Sequence, residues 1–255
     1  MNRFAFALLG TLVTATLAAS DFKVENIQEP WRKKGAAAYE IQGNKPEKHA
    51  LVFSIRPQAG AFYRFSFQVN TDSACRIAIL TTQKGTASYL FFLVKPGTRF
   101  ATTYLYAQND APIIGRLYLD QTEGATCVEV KDFKVAKLTE EELSGNLFPD
   151  GEFENGTGAD FLKTNSNNSK PVVGEIVPSP DFFAGEKSLE LVFGNPGVEN
   201  KLATHYLPMI PGKKMQLKFW AKSTGKHKLT VIMNTIPRIG AVHKGKHLFL
   251  TKPFT

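Results

Sequence analysis

The sequence is poor in the residue patterns that mark enzymes. It has only two cysteines among 255 residues and no Cys-x-x-Cys pair. It also has no His-Glu-x-x-His, no Gly-x-Ser-x-Gly and no glycine loop of the kind that cradles phosphate. Its lysines are spread along the chain, with no basic stripe interleaved with aromatic residues, which argues against nucleic-acid binding. We therefore predict no catalytic residues, no enzyme activity within this chain and no nucleic-acid partner.

Long hydrophobic runs are also missing, except for one at the start of the chain. A lone Arg3 precedes an apolar run from Phe4 to Leu17, and small residues follow at Ala18 to Ser20. The run is shorter than the roughly 20 residues of a membrane-spanning helix. The pattern predicts a bacterial-type signal peptide over residues 1–20 and a mature protein that is secreted, extracellular or periplasmic, with no membrane span.

The charge of the mature chain is moderately positive and diffuse. Without Arg3 the chain keeps 30 Lys and Arg residues against 23 Asp and Glu residues. A diffuse positive field attracts acidic polysaccharides or anionic surfaces, although solvated surface lysines explain the same composition. Both interpretations stay open at this stage.

The two cysteines, Cys75 and Cys127, each fall in a predicted strand of the same half of the chain. Disulfides persist in exported proteins, and a bridge between neighbouring strands is geometrically reasonable. A bridge closing a loop of about 52 residues would contribute about 4 kcal/mol on the chain-entropy model. We predict this disulfide, and the alternative is a pair of free thiols.

Alternating apolar residues separated by turn formers indicate an all-β fold. In Phe62 to Val69 every second residue, from Tyr63 to Val69, is apolar, so one face of that strand is buried. Further short strands are predicted at Leu51–Ile55, Arg76–Leu80, Tyr89–Val94, Thr102–Tyr106, Arg116–Leu119 and Thr126–Val135. About seven short strands with a turn every ten residues or so are typical of a two-sheet sandwich.

The second half of the sequence repeats the apolar pattern of the first. A shift of about 152 positions aligns Phe65 with Leu217, Phe67 with Phe219 and Ile77 with Leu229. We therefore predict two tandem jelly-roll sandwiches, at 21–138 and 146–255, joined by a linker at 139–145 that begins with a capping-box pattern. The first unit continues for about 40 residues beyond the point that matches the end of the chain, so we expect the second sandwich to be incomplete at its C-terminal end.

Three motifs in the second half carry a family resemblance. They are Asn146-Leu-Phe-Pro-Asp-Gly-Glu-Phe-Glu154, Gly185-Glu-Lys-Ser-Leu-Glu-Leu191 and Pro211-Gly-Lys-Lys-Met-Gln-Leu-Lys-Phe-Trp-Ala-Lys222. Together they resemble carbohydrate-binding modules of families 4 and 9, which are galactose-binding-like jelly rolls. The resemblance implies non-catalytic binding of a polysaccharide or oligosaccharide, as the targeting region of a secreted glycoside hydrolase or similar enzyme. The alternative is an extracellular structural or protein-interaction sandwich with no sugar ligand.

The same resemblance implies a structural Ca²⁺ between the first and last strands of each module, held by carboxylate oxygens. The matching positions are Glu25 with Asp132 in the first unit and Glu152 or Glu154 in the second. Glu stands where the family motif usually has Asp. The alternative is that these residues are ordinary surface carboxylates.

Aromatic residues at the positions of a predicted strand that do not face the core are the candidates for stacking on sugar rings. Sugar rings present apolar C–H faces bordered by hydroxyl groups, so a binding surface needs exposed aromatic rings and polar neighbours. The sequence predicts four stacking residues and two polar helpers, in a protein that we expect to be a monomer: Tyr104, Tyr106, Tyr118 and Trp220, with Arg64 and Gln68.

Overall fold

The computed structural model describes residues 22–43, 50–122 and 126–148 almost continuously. Beyond these it describes 154, 162–166, 173–178, 186–192, 200–204, 207–208, 210, 213–214, 216–219, 228–234 and 247–253. The signal-peptide prediction lies outside the described residues. Ten strands in the first part form two five-stranded antiparallel sheets. The predicted all-β sandwich is confirmed.

Sheet A has the strand order β1-β4-β9-β6-β7, and sheet B has the order β2-β3-β10-β5-β8. The strands of sheet A are β1 (Phe22–Ile27), β4 (Leu51–Ile55), β6 (Cys75–Gln83), β7 (Thr86–Val94) and β9 (Ile113–Thr122). The strands of sheet B are β2 (Arg32–Lys33), β3 (Tyr39–Gly43), β5 (Phe62–Thr71), β8 (Gly97–Tyr106) and β10 (Thr126–Lys137).

The core between the sheets is aromatic. Phe53 of sheet A stacks on Phe65 of sheet B with ring centroids 5.0 Å apart. Phe22 lies 5.5 Å from Phe53 and 5.3 Å from Phe133, so rings from both sheets form one continuous stack. Trp31 is also buried against this core. Aromatic pairs at these separations add to the free energy of burial, which explains why the sandwich closes around phenylalanine.

The alternation read from the sequence is present in the strands. On β5 the side chains from Tyr63 to Val69 that face inward are buried, and those between them are partly exposed. On β6, Ile77 and Ile79 face the core, so Arg76, Ala78 and Leu80 lie on the outer face of sheet A. This alternation decides which residues a ligand can reach.

One short helix follows the sandwich. Helix α1 (Glu140–Ser144) has Thr139 as its N-cap, and the capping box predicted from the sequence is formed with Glu142. The Thr139 hydroxyl accepts from the Glu142 backbone N–H at 3.1 Å. The helix and the residues that follow it lie against sheet B.

The described parts of the second half form three separate two-stranded antiparallel sheets. Their strands are β11 (Leu162–Ser166), β12 (Val173–Pro178), β13 (Lys187–Val192), β14 (Asn200–Thr204), β15 (Lys228–Asn234) and β16 (His247–Pro253). They pair as β11–β14, β12–β13 and β15–β16.

The structure bears on the predicted repeat at only a few positions. Leu229 lies on β15, which pairs with β16 as β6 pairs with β7. Leu217 and Phe219, predicted to match buried core residues, are 56% and 49% exposed and lie in no strand. Within the described residues nothing pairs with 216–219, so no neighbouring strand covers these side chains there. The tandem division stays a prediction.

None of the helices that the structure describes has the length and apolar character needed to cross a membrane.

Candidate functional site

Tyr104 lies on the outer face of sheet B, as the alternation predicts, but it is covered. Only 9% of its surface is exposed, and its hydroxyl donates a 2.7 Å hydrogen bond to the backbone oxygen of Leu147. Burial raises the pKa of its phenol. The side chains packed around it are Phe62, Leu138, Leu143, Phe148 and Leu207. Tyr104 is therefore a packing residue, and its prediction as a stacking platform is wrong.

Arg64 is held in the same covered region. It lies directly opposite Tyr104 in the β5–β8 register, and its Nη2 atom lies 3.3 Å from the Glu142 carboxylate of α1. Both side chains of this pair are about one-third exposed. The predicted sugar-binding arginine therefore joins α1 to sheet B.

Tyr106 shares the face of Tyr104, as predicted, and is half-buried. Its ring packs against Phe62 with centroids 4.8 Å apart and planes tilted by 45°. The ring is thus occupied on one side by a neighbouring side chain, which leaves less of it for a ligand.

Gln68 lies at the other end of the same face, away from α1. It is half-buried and pairs in register with Phe100 on the edge strand β8. Phe100 is 45% exposed and was not predicted as a site residue. Its position between the inward-facing Arg99 and Ala101 was the available signal, because an aromatic residue at an outward position of a strand points to a surface role.

Tyr118 lies on the outer face of sheet A, between the buried Leu117 and Leu119 of β9, where the alternation predicts it. Ala78 of β6 is its register neighbour on one side, and Phe91 of β7 is the next position across the sheet. The Ala78 methyl group is fully buried although it lies on an outer face. Neighbouring atoms of the protein therefore cover Ala78 on this face.

Two arginines and two further apolar or aromatic positions border Tyr118. Arg116 precedes it by two residues on the same strand, which is a distance of roughly 6.7 Å along a strand, and it is exposed. Arg116 pairs with Leu80, which pairs in turn with Tyr89 of β7. Arg76 lies on β6, two residues before Ala78. We call the set formed by Arg76, Ala78, Leu80, Arg116 and Tyr118, with the register positions Tyr89 and Phe91, the Tyr118 surface.

The predicted calcium ligands of the first unit do not form a metal site. The Glu25 carboxylate accepts hydrogen bonds from Lys23 Nζ at 2.8 Å and from Ser54 Oγ at 2.6 Å, and these bonds hold its pKa below the usual range. Each oxygen thus accepts one hydrogen bond, one of them from a cation. Asp132 is exposed on a bulge of β10 at a φ of 54°. Within the described residues no three His, Cys, Asp or Glu side chains could hold a metal ion together.

In the second unit, Glu154 supports the start of a strand. Its carboxylate oxygen Oε1 accepts from the backbone N–H groups of Glu186 at 2.6 Å and Lys187 at 3.1 Å. This contact gives the side chain a structural role at the start of β13. Glu152 and Trp220, the other residues predicted for this unit, lie outside the described residues.

Both cysteines are free, so the predicted disulfide is not formed in the structure. Cys75 faces the core from β6, whereas Cys127 lies on the outer side of β10, next to the buried Val128. The two side chains start from different sheets and point in different directions, which the sequence pattern did not reveal. Burial raises the pKa of the Cys75 thiol to about 11.

No protein-family model matches the chain, and no curated protein is similar to it. Among solved structures, 59 chains are similar to part of it. One is a family 4 carbohydrate-binding module (TM-score 0.35, 15% identity), for which the match covers 44% of this chain and 77% of that one. Another is the N-terminal cellulose-binding domain of β-1,4-glucanase C from Cellulomonas fimi (TM-score 0.34, 10% identity), with 48% and 91% covered. A third is a family 61 module, TmCBM61, solved with β-1,4-galactotriose (TM-score 0.29, 14% identity), with 44% and 91% covered.

These neighbours are mostly carbohydrate-binding modules. The function has to be inferred from the residues of the two outer faces.

Proposed function

We propose that this chain is a secreted, non-catalytic carbohydrate-binding protein and that the Tyr118 surface holds a polysaccharide. The single observation that supports this proposal is the clustering of aromatic positions with arginines on the outer face of sheet A. Tyr118 on β9 and Phe91 on β7 flank the buried Ala78 of β6. The covered half of sheet B, where Tyr104 lies, is unavailable to a ligand.

The chemistry of this surface suits sugar rings. Strands lie about 4.8 Å apart, so the Tyr118 and Phe91 positions, two strands apart, are separated by roughly 10 Å. An aromatic ring covers the apolar C–H face of a sugar, while the guanidinium groups of Arg76 and Arg116 donate hydrogen bonds to hydroxyl or carboxylate oxygens. Within the described residues Arg116 makes no hydrogen bond or ion pair, so its donors are available.

The free energy of binding requires more than one aromatic ring. Covering one aromatic face removes about 60 Å² from water, which is worth about 1.5 kcal/mol. Millimolar binding requires about 4 kcal/mol after the cost of association. One ring is therefore insufficient, and the neighbouring aromatic positions and the arginine donors must act together with Tyr118.

As the sequence resemblance implies, we further propose that the chain is the targeting region of a secreted glycoside hydrolase or similar enzyme. The division into two modules and the family 4 and 9 type belong to the same proposal. A structural Ca²⁺ at Glu25 and Asp132 is not included, because the carboxylate of Glu25 is already paired with Lys23.

Affinity electrophoresis tests the proposal. The full chain is run through gels that contain a neutral polymer (xylan, hydroxyethylcellulose or galactan) or an acidic one (polygalacturonate or alginate). We expect retention on at least one polymer and a loss of affinity of about tenfold or more in Tyr118→Ala. Arg116→Ala should weaken retention most on the acidic gels.

Tyr106→Ala is the matched control, because it removes an outward tyrosine from the other sheet. Circular dichroism confirms that each variant is folded. Retention that Tyr118→Ala leaves unchanged contradicts the assignment to sheet A. Absence of retention on every polymer contradicts carbohydrate binding and favours the alternative, an extracellular structural or protein-interaction sandwich.

A further inference from the structure

The outer face of sheet B has an open half in addition to its covered half. Phe100 lies there with 45% of its surface exposed, on the edge strand of the sheet. Its register neighbour on β5 is Gln68, and the next pair along the strands is Thr98 with Asn70. The Thr98 hydroxyl donates to the Asn70 amide oxygen at 3.5 Å.

The surroundings of Phe100 are polar. On the side towards α1 its neighbours are Thr102 and Ser66, which pair with each other. Across the sheet, Lys131 of β10 pairs with Gln68. We call Phe100 with Ser66, Gln68, Asn70, Thr98 and Thr102 the Phe100 platform. An interface core for another protein is mainly apolar, whereas one ring bordered by amides and hydroxyl groups has the composition that stacks on a sugar and binds its hydroxyls.

A polar depression of about 210 Å³ adjoins the platform at Asn70. Its lining residues are Lys34, Asn70, Thr71, Asp72, Cys127 and Glu129. One Asp72 oxygen, Oδ1, accepts from the Cys127 backbone N–H at 3.0 Å and from the Ser73 hydroxyl at 3.2 Å. Within the described residues the other oxygen makes no hydrogen bond, so it is available to accept one from a ligand hydroxyl.

The charges around the depression disfavour an acidic ligand. Lys34 Nζ lies 2.9 Å from Glu40 and 2.7 Å from Glu129, so its charge is already paired. Lys131 lies 3.4 Å from the same Glu129. Three carboxylates, counting Asp72, thus face two lysines. A neutral sugar donates its hydroxyls to these oxygens, while a uronate is repelled.

We propose that the Phe100 platform and the adjoining depression form a second saccharide site, which takes a neutral sugar chain. The proposal rests on the proposed carbohydrate-binding function. The two surfaces lie on opposite outer faces of the sandwich, whose sheets are about 10 Å apart. One short stretch of polymer therefore cannot cover both surfaces, and the two sites bind separate stretches.

The test uses the full chain with Tyr118→Ala, in which the first surface is removed, in gels of xylan, hydroxyethylcellulose or polygalacturonate. We expect residual retention on a neutral polymer and none on polygalacturonate. Adding Phe100→Ala should lower the residual affinity about tenfold. Adding Phe100→Tyr in its place, which keeps a ring, should preserve it.

The outcomes separate the two proposals. If Tyr118→Ala alone abolishes all retention, the second site is overturned and the first stands. If adding Phe100→Ala leaves the residual retention of Tyr118→Ala unchanged, the second site is also overturned. If only Phe100→Ala abolishes retention, the second site is supported and the assignment to Tyr118 fails. Absence of retention by the unsubstituted protein on every polymer overturns both.

Discussion

Gly115 offers the most direct test of the strand register that places Tyr118 on an outer face. It pairs with Phe53 across β4 and β9. A Cβ atom added at Gly115 would fall within the Phe53 ring. That ring has no room to move, because it is fully buried and packs against Phe22 and Phe65 at centroid distances of 5.5 and 5.0 Å. A glycine inside a strand often marks such a close approach.

We expect Gly115→Ala to destabilise the protein strongly. Overpacking a well-filled core costs about 1–3 kcal/mol, and the close contact with Phe53 puts the expected loss at about 3 kcal/mol. The melting temperature should fall by roughly 12 °C, at about 4 °C per kcal/mol for a unit of this size. Urea unfolding followed by tryptophan fluorescence, to which the buried Trp31 contributes together with Trp220, measures the free energy of unfolding.

Two further variants make the result specific. Gly145→Ala is the control, since its added Cβ would meet only the backbone oxygens of Glu141 and Glu142 at 3.5 and 3.6 Å, and its stability should change by less than about 0.5 kcal/mol. Adding Phe53→Leu to Gly115→Ala should recover part of the loss. If Gly115→Ala is as stable as the unsubstituted protein, Gly115 does not face Phe53. Tyr118 lies on the opposite face of β9 from Gly115, so it would then face the core.

Two further predictions concern the covered half of sheet B and the thiols. Tyr104→Phe removes the hydrogen bond from Tyr104 to the segment after α1. It should lower the free energy of unfolding by about 1 kcal/mol and speed proteolytic cleavage within 139–148. Unchanged cleavage would show that Tyr104 does not hold this segment. Burial raises the pKa of both thiols, that of Cys75 to about 11, but Cys75 is buried and Cys127 is only half-buried. Iodoacetamide at pH 8 should therefore label Cys127 slowly and leave Cys75 unlabelled in the native protein. Two thiols should titrate after unfolding without reductant, and none would titrate if the bridge forms.

The sequence predicts several strands of the first unit because alternation and turn formers are local signals, but it misses β2, β3 and the first half of β8. Leu51–Ile55 is predicted and observed with the same bounds, and the strand predicted from Phe62 to Val69 extends to Thr71. Strand order depends on pairing between distant segments, so the sequence could not show that Tyr118 and Phe91 flank one alanine.

The errors at the candidate site have the same origin. Alternation places Tyr104 and Tyr118 correctly on outer faces, but only the path of the chain after Leu138 determines that one of them is covered. The predicted bridge is not formed because the Cys127 side chain lies on the outer side of β10, whereas Cys75 faces the core from β6. Phe100 was missed because the predicted strand begins at Thr102, whereas β8 begins at Gly97.

A direct test of the central claim is a backbone amide chemical-shift titration of the full chain with an oligosaccharide of whichever polymer retains it. We predict that the shifts that saturate with ligand include amides of β6, β7 and β9 around Ala78, Phe91 and Tyr118. Saturable shifts that spare all three strands would show that the outer face of sheet A does not bind the sugar, and would contradict the account.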